Sequence, residues 1–371
     1  MTSRERLLCA LNGKIPDRVP ISTYELSGWN SKAFENIDPS YKVMMDAIRE
    51  GTDCVCMWDP ASNVTFLESS ARVPIETTEE RGEDRVITRR TIHTPRGPLT
   101  EMSEVVDNVY TVWRSERCCK SPSDVDAALS VPYEPLTYDY SDYDRIAREV
   151  GDHGILMASV PDALCLAAEM MEFGAFTVWA LTETEHFIRT LDTLHERNME
   201  NLRRMLSGRV LDLYRIFGPE YASPPYLPPE LFARFVTPYA RDMVRVLHEH
   251  GAKVRLHSHG RIGLVIDAIV ATECDALDPC EPPPDGDITL ADLKRSVGDR
   301  LCLFGNIELK QLELDEPESV ERTVRQCMED AKAGGGYVIM PTASPITSPL
   351  SKKTEANYIA FIEAAHRYGA Y

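Results

Sequence analysis

Several things are scarce in this chain. It has no Cys-x-x-Cys pair and no repeated cysteine spacing, which removes the usual thiol-metal and disulfide frameworks. It has no apolar run approaching the roughly 20 residues that would cross a bilayer. No glycine-rich loop follows a strand and opens a helix, so nucleotide binding has no support. Basic residues are outnumbered, 40 Lys and Arg against 59 Asp and Glu, for a formal net charge of −19. That balance argues against a nucleic-acid backbone or an anionic membrane as partner. The first twenty residues lack a signal-peptide core, so the ten cysteines are expected to be reduced thiols of a cytoplasmic protein.

The 371 residues, 43% hydrophobic and 27% charged, have the composition of a globular chain. Apolar runs bounded by Gly, Pro and Asp predict strands at 19–23, 53–58, 154–159, 210–218, 253–257, 275–278, 301–304 and 337–340, with helical stretches between most of them. Residues 61–117 read differently. There β-branched residues alternate with charges, as in RVITRRTIHTPRGPLTEMSEVV, which predicts an antiparallel β insertion after the second strand, a solvated charged ribbon. Eight alternating β/α units over one domain, 1–371, predict an α/β fold of the (β/α)8 TIM-barrel type, with reacting groups at the carboxyl ends of the strands. The helix over 229–250 contains Pro238, where a kink is expected.

Residues 251–260, GAKVRLHSHG, carry the strongest chemical signal. Alternation along a strand puts Lys253, Arg255, His257 and His259 on one face and Val254 and Leu256 on the other. Two imidazoles two residues apart at a strand end can reach one point, which suits a divalent metal or an anion; the alternative is a neutral, hydrogen-bonded pair. As a metal site, Zn2+ would take His257 and His259, with Glu220 from the preceding strand end as third ligand and Cys280 or Glu308 as substitutes. His257, His259 and Glu220 are thus the candidate catalytic residues. Tyr24, Glu25, Trp58, Arg215, Tyr221, Asn306 and Glu308 recur at strand ends as candidate substrate contacts, and Arg255 is a candidate anchor for a carboxylate.

Four segments together resemble the uroporphyrinogen decarboxylase superfamily, in its branch of cobalamin-dependent methyltransferases. They are RERLLCALNGKIPDRVP, ELFARFVTPYARDMVRVLHEHGAKVRLHSHG, DALDPCEPPPDGDITLADLKRSVGDRLCLFGNIE and GGGYVIMPTASPI. The resemblance implies the same barrel. Decarboxylase members carry Arg-Gln-Ala-Gly-Arg after the first strand, where this chain reads STYELSGWN without arginine. Methyltransferase members carry a zinc-binding His-x-Cys where it reads HSH: His257 matches the histidine and His259 replaces the cysteine. Their further cysteine, after the last strand, has no counterpart in TASPI. The thiolates are missing, which points to a harder nitrogen and oxygen ligand set. The resemblance implies methyl transfer between a corrinoid (cobalamin) held by a partner protein and a small sulfur or oxygen compound, metal-assisted at the two histidines, in a chain compatible with a homodimer. The alternatives are a metal-independent decarboxylase or lyase acting on a small organic acid, and a non-catalytic subunit that docks a corrinoid protein or binds a metabolite.

Overall fold

The computed structural model describes all 371 residues, which divide into two compact units. The first comprises Met1–Asp59, Ser141–Val160 and Leu211–Tyr371. Its centre is a seven-stranded parallel sheet: β1 Cys54–Met57, β2 Gly154–Pro161, β3 Leu213–Phe217, β4 Lys253–His257, β5 Ala276–Asp278, β6 Cys302–Ile307 and β7 Tyr337–Pro341, each hydrogen-bonded to the next in chain order. Parallel neighbours need helical crossovers, which bury both sheet faces and explain the continuous apolar runs. Gly154, opposite Cys54, leaves no room for a side chain between β1 and β2; a Cβ there would lie 1.8 Å from the Cys54 carbonyl oxygen.

The eighth strand expected, 19–23, is present only as an irregular segment. Ile21 makes a single parallel bridge to Ile339 of β7, and the Ile21 carbonyl accepts from Asp53 N at 2.7 Å just before β1. The segment therefore lies between the two edge strands of the sheet and occupies the eighth position of the ring. Two local features keep it from forming a regular ladder. Pro20 has no N–H to give. The Ile21 N–H is taken by the Asp53 carboxylate at 2.9 Å, which is fully buried and also held by Arg6 and Arg18.

The strand interiors are layered. The helix Ser3–Leu11, started by a capping box of Thr2 and Glu5, packs Leu7, Ala10 and Leu11 with Ile155, Leu213, Ala276, Cys302 and Val338. These residues fill the amino-terminal part of the barrel. Further along the same strands, Arg215 and Arg255 stand in register on adjacent strands, and His257 stands in register with Asp278. Polar chemistry thus begins where the apolar plug ends. The helix expected over 229–250 is two helices, Pro229–Phe235 and Thr237–Glu249, broken at Val236 just before Pro238.

The second unit comprises Pro60–Tyr140 and Pro161–Val210. The antiparallel insertion expected over 61–117 is a four-stranded sheet of Ile75–Arg81, Arg85–Thr94, Gly97–Val106 and Trp113–Glu116. The pair Ala61–Ser62 joins Tyr138–Asp139 instead, as a separate ribbon. Cross-strand ion pairs tie its strands together on opposite faces, Arg90–Glu101 at 2.6 Å and Arg85–Glu104 at 2.9 Å. The 25-residue helix Thr184–Gly208 belongs to this unit, so the unit is larger than the insertion read from the sequence.

No helix is long and apolar enough to cross a membrane.

Candidate active site

The histidine pair forms as the alternation predicts. His257 ends β4 and His259 follows it in the loop, with ring centroids 4.7 Å apart and planes nearly perpendicular. Each ring is fixed from behind by its own carboxylate. His257 Nδ1 pairs with Asp278 Oδ2 at 2.9 Å, and His259 Nδ1 with Glu281 Oε1 at 2.7 Å. An ionised carboxylate only accepts, so both Nδ1 atoms carry the proton and the Nε2 atoms are left for another partner. Glu281 is itself oriented by the Gly260 N–H, which donates to its other oxygen at 2.8 Å.

Asp278 and Glu281 are polar residues at a strand end to which reading single strands assigned no role at the two rings. Their signal was the parallel register. β5 sets Asp278 opposite His257, and the loop beyond carries Glu281 alongside His259.

Asp278 is fully buried. Burial pushes its pKa up, but Arg255, His257 and Arg215 outweigh that and hold it well below the usual carboxylate range. Arg255 is also fully buried, its Nε 3.0 Å from Asp278 Oδ1 and its guanidinium 5.0 Å from the Phe304 ring centroid. That 3.0 Å contact is an ion pair without hydrogen-bond alignment, since neither atom has a hydrogen-bond partner. Arg255 was expected to anchor a ligand carboxylate. Its anion is instead the chain's own Asp278, because the side chain lies inside the barrel and has no exposed surface.

His259 has a raised pKa. Burial lowers it, but the hydrogen bond and charge of Glu281, together with the fields of Glu220 and Asp278, more than reverse this. Burial likewise pushes Glu281 up, and His259 brings it below its ordinary value. The couple therefore favours imidazolium and carboxylate.

The other wall is Arg215, Tyr24 and Glu25. Arg215 Nε donates to Ser159 Oγ at 2.8 Å, and its Nη1 donates to Glu25 Oε1 at 2.8 Å. The guanidinium lies 5.8 Å from the Tyr24 ring centroid, and that ring is 6.1 Å from His257. Tyr24 sits at φ +59°, a conformation uncommon for a non-glycine residue, which turns the chain sharply at this rim. Burial raises the Tyr24 phenol, so it stays protonated.

The other expected site residues have contacts of their own. Trp58 is buried, edge-on to Tyr143 with centroids 5.4 Å apart. Tyr221 lies on the short turn Pro219–Ala222, where its N–H donates to the Gly218 carbonyl at 3.1 Å. Asn306 bonds to the Cys280 carbonyl at 2.9 Å and accepts from the Cys327 thiol, and it lines a different cleft together with Glu308.

A zinc site with three protein ligands does not fit these side chains. No group of three or more His, Cys, Asp or Glu side chains stands where it could hold a metal ion. Glu220, the expected third ligand, folds back onto the Gly218 N–H at 2.8 Å. Cys280 is a buried thiol that donates to the Leu277 carbonyl at 3.6 Å. Two imidazoles alone fall short of the ligand count of a catalytic zinc.

The family model for uroporphyrinogen decarboxylase (URO-D) matches residues 114–368. The chain belongs to the uroporphyrinogen decarboxylase family. A curated uroporphyrinogen decarboxylase from Pseudoalteromonas translucida (strain TAC 125) is 26% identical over 270 residues, covering 69% of this chain and 71% of that protein. Among solved structures, a methyltransferase from Methanosarcina mazei superposes with a TM-score of 0.66 at 15% identity, covering 99% of both chains. At that identity the likeness shows a shared fold over the full length.

Proposed function

We propose that this member of the uroporphyrinogen decarboxylase family is a methyltransferase of the cobalamin-dependent branch, acting on a small methoxy or thiol compound at the mouth of the barrel. The observation that carries the reading is the pair of imidazoles 4.7 Å apart, each pinned at Nδ1 by its own carboxylate, with both Nε2 atoms left over. The methyltransferase of the same fold and the absence of arginine in STYELSGWN support it over porphyrinogen decarboxylation.

An oxygen–methyl bond breaks more easily when the oxygen is protonated as it leaves, because the alcohol is a better leaving group than the alkoxide. His259, held toward the imidazolium form by Glu281, would give its Nε2 proton to that oxygen; in the opposite direction it would take the proton of an attacking hydroxyl or thiol. His257, oriented by Asp278, would accept a hydrogen bond at Nε2 and fix the substrate's polar atom between the two rings. Tyr24 and Arg215 would form the facing wall. A corrinoid brought by a partner protein would supply the nucleophile or the donor for the methyl group. With only two imidazoles available, no step is assigned to a metal.

The test is formation of methylcobalamin from cob(I)alamin, followed by absorbance, with a panel of small methoxy compounds, and the reverse with thiols. Turnover should fall at least a hundredfold in both His257→Ala and His259→Ala. If no methyl donor or acceptor gives product, the reading fails. Carbon dioxide release from a small organic acid would then establish the decarboxylase reading, which the curated relative and the proton-donating His259 favour.

A further inference from the structure

A second cleft lies beside the rim loop and includes none of His257, His259, Arg215 or Tyr24 in its lining. Its volume is about 410 Å³, within the range of small-molecule sites. One wall is the run Pro282, Pro283 and Pro284 with Leu290; the other is the helix Pro317–Ala331, which presents Thr323, Gln326 and Asp330. Proline backbones cannot donate hydrogen bonds and hold a fixed shape, so the first wall is stiff and mostly apolar.

Glu308 stands in this cleft at the end of β6. The residue is only 8% exposed, and its Oε1 has no hydrogen-bond partner. A buried carboxylate oxygen without a donor is costly, and native structures leave few such atoms. The nearest cation does not satisfy it. Lys310 Nζ is 3.7 Å from Oε2, beyond hydrogen-bond range, and is committed to Asp285. The second acid in the lining, Asp330, already accepts from Gln326 Nε2 at 2.8 Å. What the cleft lacks is a cationic donor at Glu308. No third His, Cys, Asp or Glu completes a metal cluster there, and the proline and leucine wall calls for a ligand with an apolar body.

The geometry points to a binding site for a small organic ammonium compound, its charged end on Glu308 and its carbon chain along the proline wall. The inference is independent of the methyl-transfer reading, because no residue used there lines the cleft.

The test is calorimetric titration of the whole chain with n-butylammonium, with n-butanol as the uncharged control. Saturable binding of the ammonium is expected, at least tenfold weaker in Glu308→Gln and tenfold weaker in Thr323→Leu, which narrows the cleft without touching the carboxylate. Circular dichroism melts confirm that both variants are folded. The inference is overturned if n-butylammonium does not saturate, if n-butanol binds as tightly, or if binding survives either substitution.

Discussion

Asp278→Asn is the sharpest test of the electrostatics at the candidate active site. Asparagine keeps an oxygen for the His257 Nδ1 proton and keeps the shape, but removes the charge. Arg255 would then be a guanidinium with no exposed surface and no anion within contact, since its Nε faces Asp278 at 3.0 Å and its other neighbours are Phe304 and Met340. Removing one member of a buried pair costs about 3–5 kcal/mol, a large part of the roughly 5–15 kcal/mol that a domain has. A loss of about 3 kcal/mol at pH 7 is expected. Arg255 cannot shed its charge to escape, because even a pKa lowered by burial leaves guanidinium protonated.

The second arm is the double substitution Arg255→Met, Asp278→Asn. It removes both charges and sets a thioether of similar length against Phe304 and Met340. Stability should return to within about 1 kcal/mol of the parent, because a buried pair replaced by apolar packing is often neutral. The assay is urea unfolding followed by circular dichroism at several pH values. The sign with pH is fixed. The folded pKa of Asp278 lies below its unfolded value, so the stabilisation is present above the unfolded pKa and is lost as pH falls toward the folded one. The gap between parent and Asp278→Asn should therefore narrow on acidification below about pH 4, the ordinary carboxylate range. A single variant within about 1 kcal/mol of the parent at pH 7, or a double variant no better than the single, would refute the account.

Glu281→Gln removes the largest of the influences that raise His259, leaving Glu220 and Asp278. A step that needs the imidazolium is lost as pH rises through the His259 pKa, so the alkaline limb of the pH–rate profile should move to lower pH, and an unmoved limb would place the proton elsewhere. Glu308 behaves in the opposite sense for stability. Burial, Glu281 and Asp285 push it up to about 7 against the pull of Lys310, so its protonated form stabilises the fold and that contribution is lost as pH rises through 7. Glu308→Gln should therefore be more stable than the parent at pH 8, by about 1–2 kcal/mol once solvent near the carboxylate is allowed for, and no different near pH 4.5; equal stability at both pH values would count against the raised pKa. Elemental analysis should find zinc well below one per chain and equal in parent, His257→Ala and His259→Ala. Stoichiometric zinc lost from both variants would mean that the donor set rearranges around a metal.

Seven of the eight barrel strands were legible as apolar runs because both faces of a parallel sheet are buried. The eighth, 19–23, was read as a strand as well; what was not legible is its irregularity, which arises from a side chain, Asp53, reaching the Ile21 N–H from the following segment. His257 and His259 were legible because alternation is a local property. Their carboxylates were not, because which acid meets which ring depends on the β4–β5 register across about twenty intervening residues. Glu220 shows the same limit from the other side. It stands at the end of the preceding strand, which made it look like a ligand, but its carboxylate accepts locally from the Gly218 N–H two residues back. Arg255 was placed on the correct, inward face, but which anion satisfies it was not legible: it lies level with the interior of the barrel and meets the chain's own Asp278, whereas His257 and His259 lie further along.

That boundary explains why the ion pair and the imidazoles occupy neighbouring layers. Below Arg255 the barrel is filled by Leu213, Ala276, Cys302, Val338 and the buried face of the opening helix, and Asp278 has no exposed surface. In so dry a setting the charge on Asp278 acts with little screening on both of its neighbours. It must be matched by Arg255 to be tolerated at all, and the same charge fixes the tautomer and orientation of His257. His259, one layer out and partly exposed, takes a separate carboxylate that is not fully buried, so its proton can exchange with a substrate without disturbing the inner pair. The apolar plug, the inner ion pair and the outer imidazolium are thus successive consequences of depth along one strand, β4.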